Sequence, residues 1–424
     1  MPTANIRKTV LVILLTLLTR LFILNCISLN YQGDFSILSP PHSDGARYIY
    51  EVEHITNTPL SKLNILWDVP LYPLFLAFFF KLFGTSYFLA SLLNIILFSM
   101  AVGIFYYTML YSFGQRRALL ATIIIIFYPT LLIDVLYLAA ESLYLFLGAI
   151  AFLLLTIYIK SDKKIYIIPL AIILGLLTLT KEIFFYLPAV IAIIIFIHKF
   201  PDFKNALKTT ALLAAIYGLV LLPLLSHNYR LSNGGLILSS KAQKVHARII
   251  KQIGPQNKQE KSPNAPINKN SNFYIVNYFF QRGRFFLGTG TFGLMRAFGQ
   301  DCLSLEPTAD NPRAYFTVLR QYGLGWNLFQ YSALIFIIYV FCSSAFSLFI
   351  LLAKRKLREL AYFAIVFLYF LVALHYFAYN TSRYFIPFVP FLAFLSSYST
   401  LDIYYFIRRR SRILSRRLLI KKSA

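Results

Sequence analysis

The stretch AAESLYLFLGAIAFLLLTIYI, from Ala139 to Ile159, decides the fold. Beyond Glu141 it carries no charge. A helix needs about 20 such residues to cross the hydrocarbon of a bilayer, where every backbone N–H and C=O must be satisfied inside its own segment. Comparable apolar runs lie at 9–28, 86–110, 118–136, 165–180, 184–198, 208–225, 331–353, 360–378 and 386–406. The expected architecture is therefore an all-α polytopic membrane protein, a helical bundle of about ten transmembrane helices with interfacial helices in its outer loops. The segment 70–83 is apolar but short, and its opening Pro70-Leu71-Tyr72-Pro73 suits an interfacial or re-entrant helix better than a further span. The first span has a long apolar core and no small-residue cleavage site around Asn25-Cys26-Ile27-Ser28, so it reads as an uncleaved signal anchor.

Composition excludes the soluble classes. Of 424 residues 58% are apolar and only 13% charged, whereas soluble domains carry about 25% charged residues. The net charge of +25 is explained by orientation rather than by nucleic acid. With the N-terminus in the cytoplasm, the inner loops collect Arg7, Lys8, Arg116, Arg117, Lys160, Lys163, Lys164, Lys199, Lys204, Lys208 and Lys354 to Arg358, against Asp162, Asp202, Glu359 and Asp402. That asymmetry is the positive-inside pattern. The basic tail 407–424 suits anionic lipid at about 1 kcal/mol per basic residue near the surface. It ends Lys421-Lys422-Ser423-Ala424, a dilysine form that a basic tail meets by chance. The domain division is then a transmembrane unit 1–406, with its large outer loop at 226–330, and the cytoplasmic tail 407–424.

The informative polar groups gather on the outer side. Asp44 and Tyr48, in Ser43-Asp44-Gly45-Ala46-Arg47-Tyr48, share a helix face four residues apart. Asp44 can be a general base near the interface or a solvated loop acid. Asp134 and Glu141 flank an outer turn, and acids in such apolar sequence are costly unless they serve a cavity or cap a helix N-terminus. Lys181-Glu182 and Arg383-Tyr384 interrupt two further outer boundaries, where a cation can grip a phosphate or snorkel to the surface. Arg20, near mid-span, can face the bundle interior or reach outward. Gly288-Thr289-Gly290-Thr291-Phe292-Gly293 lacks the Lys-Ser/Thr of a phosphate loop and reads as a turn. Cys26 and Cys302 fall on the same side and can pair, whereas Cys342 is expected to pack as a small apolar residue. The histidines show no metal-ligand spacing.

Taken along the chain, these residues resemble the GT-C glycosyltransferases, in particular the bacterial branch related to dolichyl-phosphate-mannose–protein mannosyltransferases and to the lipid A sugar and aminoarabinose transferases. The resemblance is carried by Asp44 with Tyr48, by Pro70-Leu71-Tyr72-Pro73-Leu74-Phe75-Leu76-Ala77 with Lys81-Leu82-Phe83-Gly84, and by Tyr128-Pro129 with Glu141. It continues in Leu179-Thr180-Lys181-Glu182, in Pro223 to Asn228, and in Arg383-Tyr384 with Pro387 and Pro390. Leu224 and His227 depart from the family's Pro-Trp-x-x-Arg-Asn. The resemblance implies inverting transfer of one sugar from a polyprenyl-phosphate donor to an envelope acceptor, a lipid or glycan rather than a protein, at the periplasmic face of a bacterial inner membrane. Asp44 would be the catalytic residue, deprotonating the acceptor hydroxyl or stabilising the positive charge that develops on the sugar. Tyr48, Asp134, Glu141, Lys181, Glu182, His227, Asn228, Arg383 and Tyr384 would contact the substrates. No cofactor is required by these residues, and a divalent cation stays an open alternative. A flippase for lipid-linked saccharides or a non-catalytic envelope-assembly protein is the competing expectation, though neither inverted repeats nor broken mid-membrane helices are evident.

Overall fold

The computed structural model describes residues 3–38, 44–58, 69–232, 324–357, 360–366, 368–369 and 386–422. Helix α1 runs Thr3–Asn30, followed by a 3-10 turn Ser36–Leu38, α2 (Asp44–Asn57) and α3 (Leu71–Phe83). Next come α4 (Tyr87–Phe113), α5 (Gln115–Phe127), α6 (Pro129–Ile133), α7 (Glu141–Ser161) and α8 (Ile167–Thr180). A 3-10 turn Glu182–Phe184 leads into α9 (Leu187–Lys199) and α10 (Phe203–Leu231), and α11 (Leu324–Ala353) and α12 (Val389–Lys422) close the order. There is no strand among the described residues. Seven of these stretches are long and apolar enough to span a membrane, and Leu71–Phe83 and Lys164–Thr180 are shorter apolar helices. The protein is an all-α polytopic membrane protein. Within 29–70 the described elements beyond the end of α1 are the turn Ser36–Leu38 and α2.

Helix α4 packs against α1, α5 and α7; α7 lies on α8, α8 and α9 on α10, and α12 on both α5 and α11. Two glycines set these distances. A Cβ on Gly103 would lie 2.3 Å from Ile13 Cγ1, and one on Gly175 would lie 2.5 Å from Val220 Cγ1. Small residues let backbones approach in a medium where apolar burial drives little association between helices. Helices α11 and α12 use hydroxyls for the same end. Ser343 Oγ meets Ser396 Oγ at 2.6 Å, Ser344 Oγ donates to the Leu392 carbonyl at 2.9 Å, and Ser399 Oγ donates to the Ser343 carbonyl at 2.7 Å. Outward faces keep residues such as Leu11, Leu18 and Leu219 exposed, as a lipid-facing surface requires.

The expected span 118–136 is not one helix. Proline has no N–H to continue the ladder and biases the residue before it away from helical geometry. Tyr128 accordingly sits at φ −63°, ψ 122°, and Pro129 opens the short α6. The chain then crosses 134–140 as a buried turn. Arg20 faces the interior and is fully buried. Cys342 stands on the exposed face of α11 rather than packing inward. Cys302, the glycine cluster 288–293 and most of the loop 226–330 lie outside the described residues.

Candidate active site

Helix α2 starts at Asp44, whose carboxylate lies in the first turn, where the helix dipole favours negative charge. One turn on, Tyr48 points into the bundle and is fully buried. Its ring meets Tyr72 of α3 edge-on at 4.9 Å, and the Arg47 guanidinium stands 4.8 Å over its centroid. Arg47 also reaches Glu51 at 3.8 Å. Gly45, Tyr48 and Val52 form the buried stripe that fixes α2 on the bundle. Asp44 is thereby held at the rim, with its side chain 36% exposed.

Tyr72 is itself anchored. Its hydroxyl exchanges hydrogen bonds with Asn94 of α4, and Asn94 Nδ2 donates to the Tyr137 carbonyl at 2.8 Å. Ser91 Oγ donates to the Leu136 carbonyl at 2.9 Å, Ser142 Oγ to that of Val135, and the Leu138 N–H to that of Leu38 at 3.2 Å. A buried turn needs its backbone groups paired, and polar side chains of α4 and α7 supply that pairing for 134–140. Asp134 opens this turn, 8% exposed, its N–H bonded to the Thr130 carbonyl. Glu141 closes it as the first residue of α7. Glu141 is 1% exposed, and neither carboxylate oxygen has a hydrogen-bond partner among the described residues. The Tyr48 hydroxyl is likewise buried and unpartnered.

Lys181 ends α8 in an extended conformation. Its Nζ lies 3.8 Å from Asp44 Oδ2, and its side chain is 7% exposed. The turn behind it is clamped by two tyrosines: Tyr369 donates to the Ile183 carbonyl, and Tyr217 donates to that of Phe185 at 3.0 Å. Glu182 is buried in the same turn. Burial pushes the Tyr48 phenol well above its ordinary pKa; Lys181 and then Arg47 oppose this, while Asp44 and Glu141 add to it. Asp44 and Lys181 meet directly, one turn of α2 from Tyr48, and Glu141 is near enough to act electrostatically on the same phenol. His227 and Asn228 stand on the last turns of α10, Asn228 fully buried. Arg383 and Tyr384 lie outside the described residues. Among the described residues, no three His, Cys, Asp or Glu side chains are grouped to hold a metal ion.

An apolar cavity of about 780 Å³ lies within the bundle, and its lining reaches Tyr144, one turn beyond Glu141 on α7, and Phe184, three residues after Lys181. Its walls include Phe98, Phe105, Phe152 and Phe391, and along α7 they run from Tyr144, near the Glu141 end of that helix, to Lys160 at its other end. From Tyr144 to Lys160 the α7 wall rises about 24 Å, most of the thickness of a bilayer's hydrocarbon.

Sequence reading missed Tyr72, Asn94, Tyr217 and Tyr369 as supports of the site. Asn94 could have been found, because an amide inside an apolar run demands a partner.

Comparison with known proteins gives two kinds of likeness. Residues 68–227 match the model of the family described as dolichyl-phosphate-mannose-protein mannosyltransferase. That segment holds Tyr72, Asp134, Glu141, Lys181 and Glu182 and begins after Asp44. No curated protein matches the chain in sequence. Among solved structures, the apo oligosaccharyltransferase of Archaeoglobus fulgidus is similar at a TM-score of 0.54 and 14% identity, covering 97% of this chain and 52% of that one. The same organism's oligosaccharyltransferase AglB, in complex with an inhibitory peptide and a dolichol-phosphate, is similar at 0.53 and 15%, covering 96% and 52%. Apo ArnT from Cupriavidus metallidurans aligns at 0.45 and 11% over 84% of this chain and 55% of its own. The chain thus spans about half the length of the solved structures it matches. At these identities the shared property is the fold, and it is the GT-C fold that the motifs pointed to.

Proposed function

We propose that the protein is a membrane glycosyltransferase that moves a single sugar from a polyprenyl-phosphate-linked donor to a lipid or glycan acceptor of the envelope, on the outer face of the membrane and with inversion. The observation that carries this reading is the Asp44–Lys181 ion pair at the rim of the bundle, taken with the buried carboxylate of Glu141, which has no hydrogen-bond partner among the described residues. The family match over 68–227 and the apolar cavity support it from two further directions.

The chemistry assigns each group a task. The Asp44 carboxylate takes the proton of the acceptor hydroxyl as that oxygen bonds to C1 of the sugar, from the face opposite the phosphate. The C1–O bond to phosphate breaks, its electron pair staying on the leaving polyprenyl phosphate. Lys181 meets the charge that grows on the phosphate, where a preorganised cation in a dry site counts most. Glu141 and Tyr48 accept and donate hydrogen bonds to sugar hydroxyls, which satisfies groups that otherwise pay for burial unpaired. The isoprenoid tail lies in the apolar cavity. A transporter of lipid-linked saccharides would line such a path with polar groups for the head along its length, and this lining is largely aromatic and aliphatic, with Ser112, Thr156, Lys160 and His198 among its few polar side chains.

The test is transfer itself. Purified wild-type protein in lipid nanodiscs is incubated with a panel of radiolabelled polyprenyl-phosphate sugars and a membrane extract. Label moving from one donor into an acceptor is expected. No transfer with any donor, together with movement of the lipid-linked saccharide between leaflets, would overturn the reading in favour of transport.

A further inference from the structure

Arg20 carries a full charge into the middle of the bundle and is completely buried there. A cation at such depth is costly unless acceptors receive its N–H groups. Nη2 donates to the Ile126 carbonyl at 2.8 Å, and the guanidinium stands 4.9 Å over the ring of Phe98, which also lines the apolar cavity. Nε and Nη1 have no hydrogen-bond partner among the described residues.

Ile126 is where α5 gives out. In a continuous helix its carbonyl would accept the N–H four residues on, from Thr130. The chain instead turns extended at Tyr128 and restarts at Pro129. The carbonyls of that last turn carry the partial negative charge of the helix end. Arg20 meets one of them with a charge-assisted donor.

Both partners lead to the site. Beyond Ile126 the chain runs through α6 and the turn 134–140 to Glu141; beyond Arg20 it runs along α1 to Leu38 and then Asp44. The two segments meet again where Ile23, Leu24, Ile27 and Leu38 pack with Leu136 and Tyr137, and where the Leu138 N–H reaches the Leu38 carbonyl.

We infer that Arg20 is a positioning residue, a buried clamp that ties the end of α5 to α1 and so fixes the turn carrying Glu141 relative to Asp44. Its link to catalysis rests on the functional reading above, but the clamp does not.

The experiment follows amide hydrogen exchange in full-length protein in nanodiscs, comparing wild type with Arg20→Met, Arg20→Gln and Arg20→Lys. Arg20→Met is expected to raise exchange over 128–140 by about tenfold or more, because a charged hydrogen bond holding a local unit is lost. Exchange in the α11–α12 pair is expected to stay unchanged. Arg20→Gln, which keeps a donor without the charge, is expected to recover part of the protection, and with an active enzyme kcat should fall while donor KM holds. Unchanged exchange over 128–140, or an equal rise throughout the protein, would overturn the clamp. If Arg20→Met does not fold, greater exchange over 128–140 in Arg20→Gln and Arg20→Lys than in wild type, confined to that turn, supports it, and wild-type values in both overturn it. A localised change in a protein that transfers no sugar would leave the clamp standing and refute only the functional reading.

Discussion

Asp44 and Lys181 meet across the rim although one opens α2 and the other ends α8. Each was legible alone in the sequence, because a charge beside apolar sequence is costly and draws notice. Their pairing was not, since it depends on how α2 and α3 fold back onto α8. Tyr72 and Asn94 were missed for the same reason: their role is to hold Tyr48 and the buried turn, which only the packing reveals. Two predictions belong to this scale. Lys181→Met should weaken binding of polyprenyl phosphate by roughly ten- to a hundredfold, the worth of a charge-assisted contact to phosphate; titration into nanodisc-held protein measures it, and unchanged affinity would remove Lys181 from the phosphate site. Glu141→Leu should hold or raise the thermal midpoint while abolishing transfer, because a buried carboxylate without partners destabilises the fold it serves. A lower midpoint would mean that Glu141 is structural.

The helices themselves were largely readable from hydropathy. The short α3 was expected as interfacial or re-entrant from its length and its prolines, and 165–180 emerged as the apolar helix Lys164–Thr180. The merged span 118–136 failed because 128–140 is almost wholly apolar, so a hydropathy window passes over the break that Pro129 imposes. Close approach between helices left a weaker trace, a lone glycine in each case. Gly175 faces Val220, a branched side chain that cannot swing away, so Gly175→Ala should destabilise by about 1–3 kcal/mol through overpacking. Adding Val220→Ala should recover most of the loss, and thermal unfolding of the four proteins of the cycle gives the coupling. Additive effects would show that α8 and α10 do not touch there.

For the molecule as a whole, charge says more than any motif. Arg117 and Lys354 pair with Asp402, and Lys199 pairs with Asp162, at the end of the bundle opposite Asp44. On the positive-inside reading that end is cytoplasmic. In a cysteine-free background, Ser36→Cys should therefore react with an impermeant thiol reagent in intact cells, and Lys163→Cys only after permeabilisation. The reverse pattern would invert the topology and move the site to the cytoplasm. At the site the half-buried carboxylate of Asp44 is countered by the buried cation of Lys181. The most direct test compares wild type with Asp44→Asn in nanodiscs, following single-turnover transfer from a radiolabelled polyprenyl-phosphate sugar alongside donor binding. Transfer should fall at least about a hundredfold, the contribution of a positioned base, while donor binding is kept or tightened as Lys181 is released to the phosphate. Transfer at the wild-type rate would contradict Asp44 as the catalytic base.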